Sequence, residues 1–152
     1  MAKFVYRLEN VLEIKMKMEE QAKTAFAEAA AKVSLEQKKL NEMYSRKELY
    51  EDSYRRVATG IIKPVELKYA KDCIDNINRQ IKIQTAVLKG AQKSLEVARF
   101  KLNEALKERK IHEKLKENAF EVFKRELNDT EKKEIDELVS YRFNNNGKAG
   151  VK

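Results

Sequence analysis

Residues that interrupt helices or cross-link the chain are scarce in this sequence of 152 residues. It contains four glycines, one proline and one cysteine, and it has no tryptophan. Since glycine and proline disfavour helix interiors, their scarcity favours long helices over a mixed globule. The one cysteine, Cys73, excludes an internal disulfide, which suits a reducing compartment.

Long apolar runs are also missing. No stretch approaches the roughly 20 apolar residues of a membrane-spanning helix. Residues 1–7 show neither the apolar region nor the cleavage pattern of a signal peptide. We therefore expect a soluble, cytoplasmic protein.

Charged residues, by contrast, make up 38% of the chain, with 33 basic and 25 acidic side chains and a net charge of +8. The excess suggests an acidic partner or surface, but the two signs are interleaved throughout, as is usual on solvated helix faces. The hydrophobic share of 42% includes much alanine, which adds little buried area per residue. A thin seam between helices is therefore expected in place of a thick core.

The second half of the chain carries a heptad pattern. Apolar residues recur at alternating steps of three and four, which indicates a coiled coil. Gln84 is the one polar residue of this seam, and such a residue often fixes the register of the helices. The seam positions are Leu67, Ala70, Ile74, Ile77, Ile81, Gln84, Leu88, Ala91, Leu95, Ala98, Leu102 and Ala105.

The first half carries a less regular seam. Two successive steps of four, from Ala25 through Ala29 to Val33, predict a stutter that locally relaxes the supercoil. Up to the stutter, the predicted seam residues are Leu8, Val11, Met18, Ala22, Ala25 and Ala29, with Lys15 as a gap. Beyond it, they are Val33, Glu36, Leu40, Met43, Lys47, Tyr50, Tyr54 and Val57.

A turn separates the two halves. Gly60 suits the position after a helix end, and Pro64 suits the first turn of the next helix. We expect an all-α fold, a long antiparallel two-helix coiled-coil hairpin that forms a single domain over residues 1–143. Helix 1 should span about 5–58, the turn 59–64 and helix 2 about 65–143. Residues that face each other should then add to about 122 in number.

Helix 2 is expected to be longer than helix 1. Residues 119–143 should overhang the pair as an unpaired, mostly helical extension with many apolar residues. Asn128 and Glu131 could form an N-cap pair, which would break the helix near residue 128. Residues 144–152 are expected to be a disordered tail. Inside helix 2, Gly90 is explained either by close helix approach or by local flexibility.

Motifs that carry catalysis or cofactor binding are missing. The sequence has neither a P-loop nor a dinucleotide-binding glycine motif. His112 and Cys73 cannot form a recognisable zinc site. Carboxylates on a thin hairpin face water and lack a concave pocket. We therefore expect no enzyme activity, no cofactor and no metal.

Three features are open to a structural or a functional interpretation. His112, on the extrapolated seam, is a partly exposed helix residue or a pH sensor. The tyrosines near the turn pack in the seam or form a docking patch. The densest basic segment is a solvated face or binds an acidic protein, with nucleic acid third because no base-reading motif is present. The tyrosines are Tyr44, Tyr50, Tyr54 and Tyr69, and the basic residues are Lys101, Lys107, Arg109, Lys110, Lys114 and Lys116.

Both ends of the chain resemble a known family. The opening segments Phe4–Lys15 and Glu19–Lys23 look like the start of flagellar FliJ proteins. Near the other end, Arg109–Lys110, Glu113–Glu117 and Glu131–Glu137 resemble the terminal pattern of that family. Length, hairpin position and coiled coil also agree, so the resemblance covers nearly the whole chain.

The resemblance implies a non-enzymatic component of the flagellar type III export apparatus. Such proteins form a hairpin similar to the coiled coil of the rotary ATP synthase gamma subunit, and the end with both termini inserts into the export ATPase ring. They help couple ATP hydrolysis to export and act as chaperones. The implied partners are the export ATPase and its regulator, the cytoplasmic domain of the membrane export gate and the substrate chaperones, without nucleic acid. Membrane association would be peripheral and through these partners, at the inner membrane beneath the flagellar basal body.

Two sets of partner-binding residues follow from the resemblance. The gate-facing set, on the hairpin near the turn, is Leu40, Met43, Tyr44, Tyr50, Cys73 and Ile77. The ATPase-facing set, at the open end, is Phe4, Tyr6, Leu115, Phe120, Phe123, Ile135, Asp136 and Glu137. The alternatives are a basic coiled coil that binds nucleic acid or an anionic surface, and a structural spacer.

Overall fold

The structure, a computed structural model, describes residues 2–149 and consists of two α-helices. Helix α1 spans Glu9–Ala58 and helix α2 spans Pro64–Ala149. The helices pack against each other as a hairpin, and no strand is present within residues 2–149. The predicted all-α hairpin is therefore confirmed.

Helix α1 begins at Glu9, later than the start near residue 5 that the sequence predicted. Residues 2–8 are non-helical, and the Glu9 N–H donates to the Tyr6 carbonyl over 3.3 Å. The Glu9 carboxylate lies in the first helical turn, where the helix dipole favours negative charge. Residues 2–8 are therefore outside the helix, and Phe4 of this segment packs against α2.

The turn lies between Ala58 and Pro64. Gly60 adopts a φ of 88°, a left-handed conformation that favours glycine. The Thr59 hydroxyl donates to the Arg56 carbonyl over 3.0 Å, which satisfies one of the carbonyls left unpaired at the end of α1. Pro64 opens α2 at a position where its missing N–H leaves no helical hydrogen bond unmade.

Helix α2 continues past both points at which the sequence suggested an end. It runs through Asn128, which is an interior residue and not a cap. Thr130 is compatible with the helix because its hydroxyl donates to the Glu126 carbonyl over 2.8 Å. The helix also passes residue 143 and reaches Ala149, since low helix propensity at residues 144–147 weakens a helix without ending its hydrogen bonding. Of the predicted disordered tail, 144–149 is helical, and 150–152 lies outside the described residues.

Contacts between residues divide the chain into two units. The terminal unit contains the residues up to Met18 and those from Leu106 onward, and the turn unit contains residues 19–105. Each helix contributes to both units.

The turn unit is built around the predicted seam of α2. Every predicted position from Leu67 to Ala105 is buried or half-buried. Its core is a cluster of four aliphatic residues, to which Val33, Met43 and Tyr50 add partly buried side chains. Only one stripe of each helix is covered, so the core is a thin layer. The four residues are Leu40, Ile77, Ile81 and Leu88.

The seam of α1 is more regular than predicted. Met18 and Ala25 are exposed, and the buried Glu19 and half-buried Phe26 take their places. Steps of three and four then alternate without interruption, and the predicted stutter is wrong because it followed the apolar but exposed Ala25. The seam positions are Leu12, Lys15, Glu19, Ala22, Phe26, Ala29, Val33, Glu36, Leu40, Met43, Lys47, Tyr50, Tyr54 and Val57.

A buried polar pair connects the two seams of the turn unit. The Gln84 amide donates to the Glu36 backbone carbonyl over 3.0 Å and to the Glu36 carboxylate over 2.5 Å. The hydrogen bond from Gln84, followed by the charge of Lys39, lowers the pKa of Glu36 below its ordinary value of 4.5. Because sliding either helix would leave these groups buried and unpaired, the pair favours a single register.

The Glu36→Gln variant should show a weaker loss of stability in acid. Since the folded-state pKa of Glu36 is lowered, its carboxylate stabilises the fold above the unfolded pKa, and this contribution disappears as pH falls through the folded pKa. Urea unfolding followed by circular dichroism between about pH 6 and pH 3 measures the effect. Glu42→Gln, at an exposed carboxylate of the same helix, is the control. Equal acid sensitivity in wild type and Glu36→Gln would contradict the prediction.

The Gly90→Ala variant should be more stable than the wild type. A Cβ atom at Gly90 meets no atom within 4 Å, so close approach of the two helices does not explain this glycine. Alanine should raise the free energy of unfolding by about 0.5–1 kcal/mol through its higher helix propensity. Gly60→Ala is the control and should be destabilised, because φ there is 88°. Urea midpoints measure both effects, and a less stable Gly90→Ala would refute this account.

Candidate partner-binding surfaces

The grooves on the described residues, 2–149, are open to solvent, so the candidate sites are surfaces. Among residues 2–149, no three His, Cys, Asp or Glu side chains are grouped so that they could hold a metal ion. Over the same residues, neither helix is apolar enough for long enough to span a bilayer. The candidate binding surfaces are therefore the exposed groups that have no partner among residues 2–149.

An aromatic cluster closes the terminal unit. Phe4 packs against Phe120 with ring centroids 5.1 Å apart in an edge-to-face arrangement, and against Phe123 at 5.4 Å. Lys124 lies over the Phe120 ring at 4.8 Å. The non-helical segment 2–8 thus covers α2 as far as Phe123. The unpaired part of α2 therefore begins later than residue 119, where the sequence placed it.

The seam becomes polar in the terminal unit. Lys15 bonds to Glu108 across the helices, and this hydrogen bond, followed by the charge of Lys15, lowers the pKa of Glu108. Lys116 lies 2.7 Å from Glu9 across the same interface. The residue numbers of these pairs add to 123 (15 and 108) and 125 (9 and 116), close to the predicted sum of about 122. Opposite charges thus replace apolar contacts along this part of the seam.

Several cations of the densest basic segment are paired within the terminal unit. Besides Lys116, Arg109 lies 2.7 Å from Glu113, and Lys114 lies 3.4 Å from Glu117. This pairing favours the solvated-face interpretation of the segment. His112 is half-buried, and its Nδ1 atom has no hydrogen-bond partner among the described residues.

Between residues 128 and 147 the side chains of α2 have no covering element. Every residue from 128 to 147 is exposed, including Ile135 at 59% and Leu138 at 61%. We call residues 128–147 the free segment. Of the predicted ATPase-facing residues, Ile135, Asp136 and Glu137 lie on it, whereas Phe4, Phe120 and Phe123 form the aromatic cluster. Leu115 is exposed, and Tyr6 is half-buried with a hydroxyl that has no hydrogen-bond partner among the described residues.

A tyrosine-lined groove of about 510 Å³ lies near the turn. Tyr50, Tyr69 and Cys73 line it together with Val57 and Val65. The hydrogen bond between the Tyr69 hydroxyl and the Cys73 sulfur raises the pKa of Tyr69. The groove brings together two of the four tyrosines near the turn. Tyr50 is half-buried and packs in the seam, whereas Tyr69 is exposed at the surface.

The predicted gate-facing residues divide into surface and core. Tyr44 is exposed, and Met43, Tyr50 and Cys73 are half-buried. Leu40 and Ile77 are only 7% and 3% exposed, because both are seam residues of the core cluster. A partner could contact these two only by opening the helix pair, so they support the surface from beneath.

One basic region of the turn unit escaped the sequence-based interpretation. Residues 76–95 contain four cations and no aspartate or glutamate, so the two charge signs are not interleaved here. The signal was the uninterrupted gap between Asp75 and Glu96. These four cations are spaced apart and form no dense basic run, so a criterion of local charge density does not detect them. They are Arg79, Lys82, Lys89 and Lys93.

Replacing Phe4 by alanine should detach the segment 2–8 from α2. Loss of the two ring contacts should lower the free energy of unfolding by about 1–2 kcal/mol. Limited proteolysis should then cleave before Glu9 more rapidly. Val5→Ala is the matched control, because the adjacent Val5 side chain is exposed. Equal cleavage rates for both variants would show that Phe4 does not hold the segment.

Comparison with known proteins identifies a family for most of this chain. Residues 4–148 match the family model described as flagellar FliJ protein. No curated protein and no solved structure gave a match. Because the family match covers nearly the whole chain, including both helices and the free segment, this protein belongs to the flagellar FliJ family and has a role in flagellar protein export.

Proposed function

We propose that this protein is a non-enzymatic coupling component of the export apparatus. In this proposal the terminal unit binds the export ATPase ring, and the turn unit binds the cytoplasmic domain of the membrane export gate. The chain would then help to couple ATP hydrolysis to export, at the cytoplasmic side of the membrane and attached through its partners. The observation that carries the proposal is the free segment, a helix with exposed apolar side chains.

The distribution of apolar residues on the free segment suits an enclosing partner. Each helical residue is rotated by about 100° from the one before it. Ile135, Leu138 and Val139 therefore share one face, and Tyr141 and Phe143 extend it on either side to an arc of about 200°, with all five side chains exposed. A flat partner would cover only part of this arc, but a ring could cover all of it. The aromatic cluster at Phe4, Phe120 and Phe123 would form the base of this contact.

The tyrosine-lined groove is the proposed contact for the export gate. Tyr50, Tyr69 and Cys73 present an apolar wall with hydroxyl groups, a composition that is frequent in binding hot spots. Tyr44, which is exposed, would extend the contact. We further propose that the chain binds the ATPase regulator and substrate chaperones and acts as a chaperone, a role that is supported by its membership of the FliJ family.

The double variant Ile135→Asp/Leu138→Asp should lose the effect on the export ATPase. The wild-type chain should bind the purified ATPase and stimulate its hydrolysis of ATP. Two carboxylates on the apolar face should weaken binding at least tenfold, because they would be desolvated in the contact. Titration of ATPase activity with each chain measures the change.

Two controls keep this experiment specific. Ser140→Asp adds a carboxylate to the same exposed segment without removing an apolar side chain, and it should retain most of the stimulation. The double variant should still bind the purified cytoplasmic domain of the gate, which shows that the turn unit is folded. If wild-type chain neither binds nor stimulates the ATPase at low salt, the proposed coupling role is wrong.

A further inference from the structure

The outer surface of α2 in the turn unit carries cations without carboxylate partners. Arg79, Lys82, Lys89 and Lys93 are exposed, and none of them forms an ion pair with a carboxylate of residues 2–149. In the terminal unit, by contrast, Lys15 and other cations pair with glutamates. The acid-free stretch 76–95 places no carboxylate three or four residues from Lys82 or Lys89, and the acids nearest to the other two cations along α2, Asp75 and Glu96, form no ion pair with them.

Apolar residues occupy the same outer surface at heptad spacing. Starting from Ile83, alternating steps of three and four lead through small and apolar positions to Phe100, with a single lysine between them. Ile83 is 67% and Phe100 65% exposed, so this second stripe is separate from the buried seam. Two packed helices need only one seam each, and a second stripe at this spacing is the pattern that a further helix recognises. The stripe is Ile83, Ala86, Gly90, Lys93, Val97 and Phe100.

Small residues form the middle of this stripe. Ala86 and Gly90 are one helical turn apart, and a Cβ atom at Gly90 would meet nothing within 4 Å. The missing side chain leaves a depression between Ile83 on one side and Val97 on the other. An incoming helix can approach the backbone of α2 closely there and insert an apolar side chain, as ridges pack into grooves.

We propose that this surface docks an acidic amphipathic α-helix of a partner protein. We call it the basic face; it comprises the second stripe and the cations beside it, Arg79, Lys82 and Lys89. The apolar side of the partner helix packs on Ile83, Val97 and Phe100 across the depression at Gly90. Its flanking glutamates or aspartates pair with Lys82 and Lys89, which have no carboxylate three or four residues away on α2, and with Lys93.

The geometry favours a helix over the other anionic partners. A bilayer surface gains nothing from a depression at Gly90 or from heptad spacing, and it requires a continuous apolar face for insertion. Single-stranded nucleic acid binds to several aromatic platforms, whereas Phe100 is the one aromatic residue of this face. The proposal is independent of the ATPase and gate contacts, because it uses neither the free segment nor the tyrosine-lined groove.

Binding of a synthetic acidic helix to the full chain tests the proposal. The probe is a fluorescent peptide of three heptads, with leucine at the a and d positions and glutamate beside them. Fluorescence anisotropy should show binding that weakens with added salt. The triple variant Lys82→Glu/Lys89→Glu/Lys93→Glu should bind it at least tenfold less tightly. A peptide with lysine in place of glutamate should in turn prefer the triple variant, because the charges are then complementary again.

Two further variants separate the face from net charge. Lys110→Glu/Lys132→Glu/Lys133→Glu makes the same charge change at exposed residues outside the turn unit and should leave the affinity within about twofold. Gly90→Leu fills the depression without changing charge and should weaken binding at least fivefold, with helix content preserved and the unfolding midpoint not lowered.

Four results would overturn the proposal. The first is no measurable binding of the acidic peptide to the wild-type chain, and the second is equal binding by the triple variant. The third is that the wild-type chain binds phosphatidylglycerol vesicles or a DNA oligonucleotide more tightly than the peptide, and that the triple variant loses this vesicle or DNA binding. The fourth is concentration-dependent self-association of the wild-type chain that the triple variant abolishes, which would make a second copy the occupant.

Discussion

The buried hydrogen bonds from Gln84 to Glu36 set the register on which the turn unit depends. Apolar residues at heptad spacing would allow the helices to slide by a heptad and still bury Leu side chains. If the helices slid, the buried Glu36 carboxylate would move away from its donor Gln84 and lie among apolar residues such as Ile77 and Ile81, without a hydrogen bond. The same register places Tyr50 beside Tyr69 and Cys73, and so forms the groove near the turn.

A single layer of core determines where function can be located. Each helix buries one stripe, so every other side chain faces solvent and acts through its charge or exposed apolar area. In the terminal unit several cations pair with glutamates, as at Lys15 and Glu108 or Lys116 and Glu9. In the turn unit Arg79, Lys82, Lys89 and Lys93 form no ion pair with a carboxylate of residues 2–149. The free segment exposes apolar residues that no other described element covers.

Sequence patterns predicted the fold best where apolar residues were regular. The seam of α2 could be read position by position because eleven of its twelve residues are apolar. The start of α1 could not, since Lys15 and Glu19 occupy its seam while Met18 and Ala25 point to solvent. Lys15 can occupy the seam because Glu108 of the opposite helix pairs with it. The burial of such a residue therefore depends on a partner nearly a hundred positions away in the sequence. Which of the predicted partner-binding residues are at the surface was harder to predict. The exposure of Tyr44 and the burial of Leu40 depend on which stripe of α1 packs against α2.

The sequence by itself determined the helices, their turn and the family. Scarce glycine and proline, the Gly60 and Pro64 pair and the heptads are local properties, and local hydrogen bonding and propensity are sufficient to express them. Only the tertiary structure decided which polar residues enter the seam, where the free segment begins and which cations lack partners. Those features depend on contacts between α1, α2 and the non-helical segment 2–8, such as Phe4 on Phe123, and no local pattern along one helix specifies them.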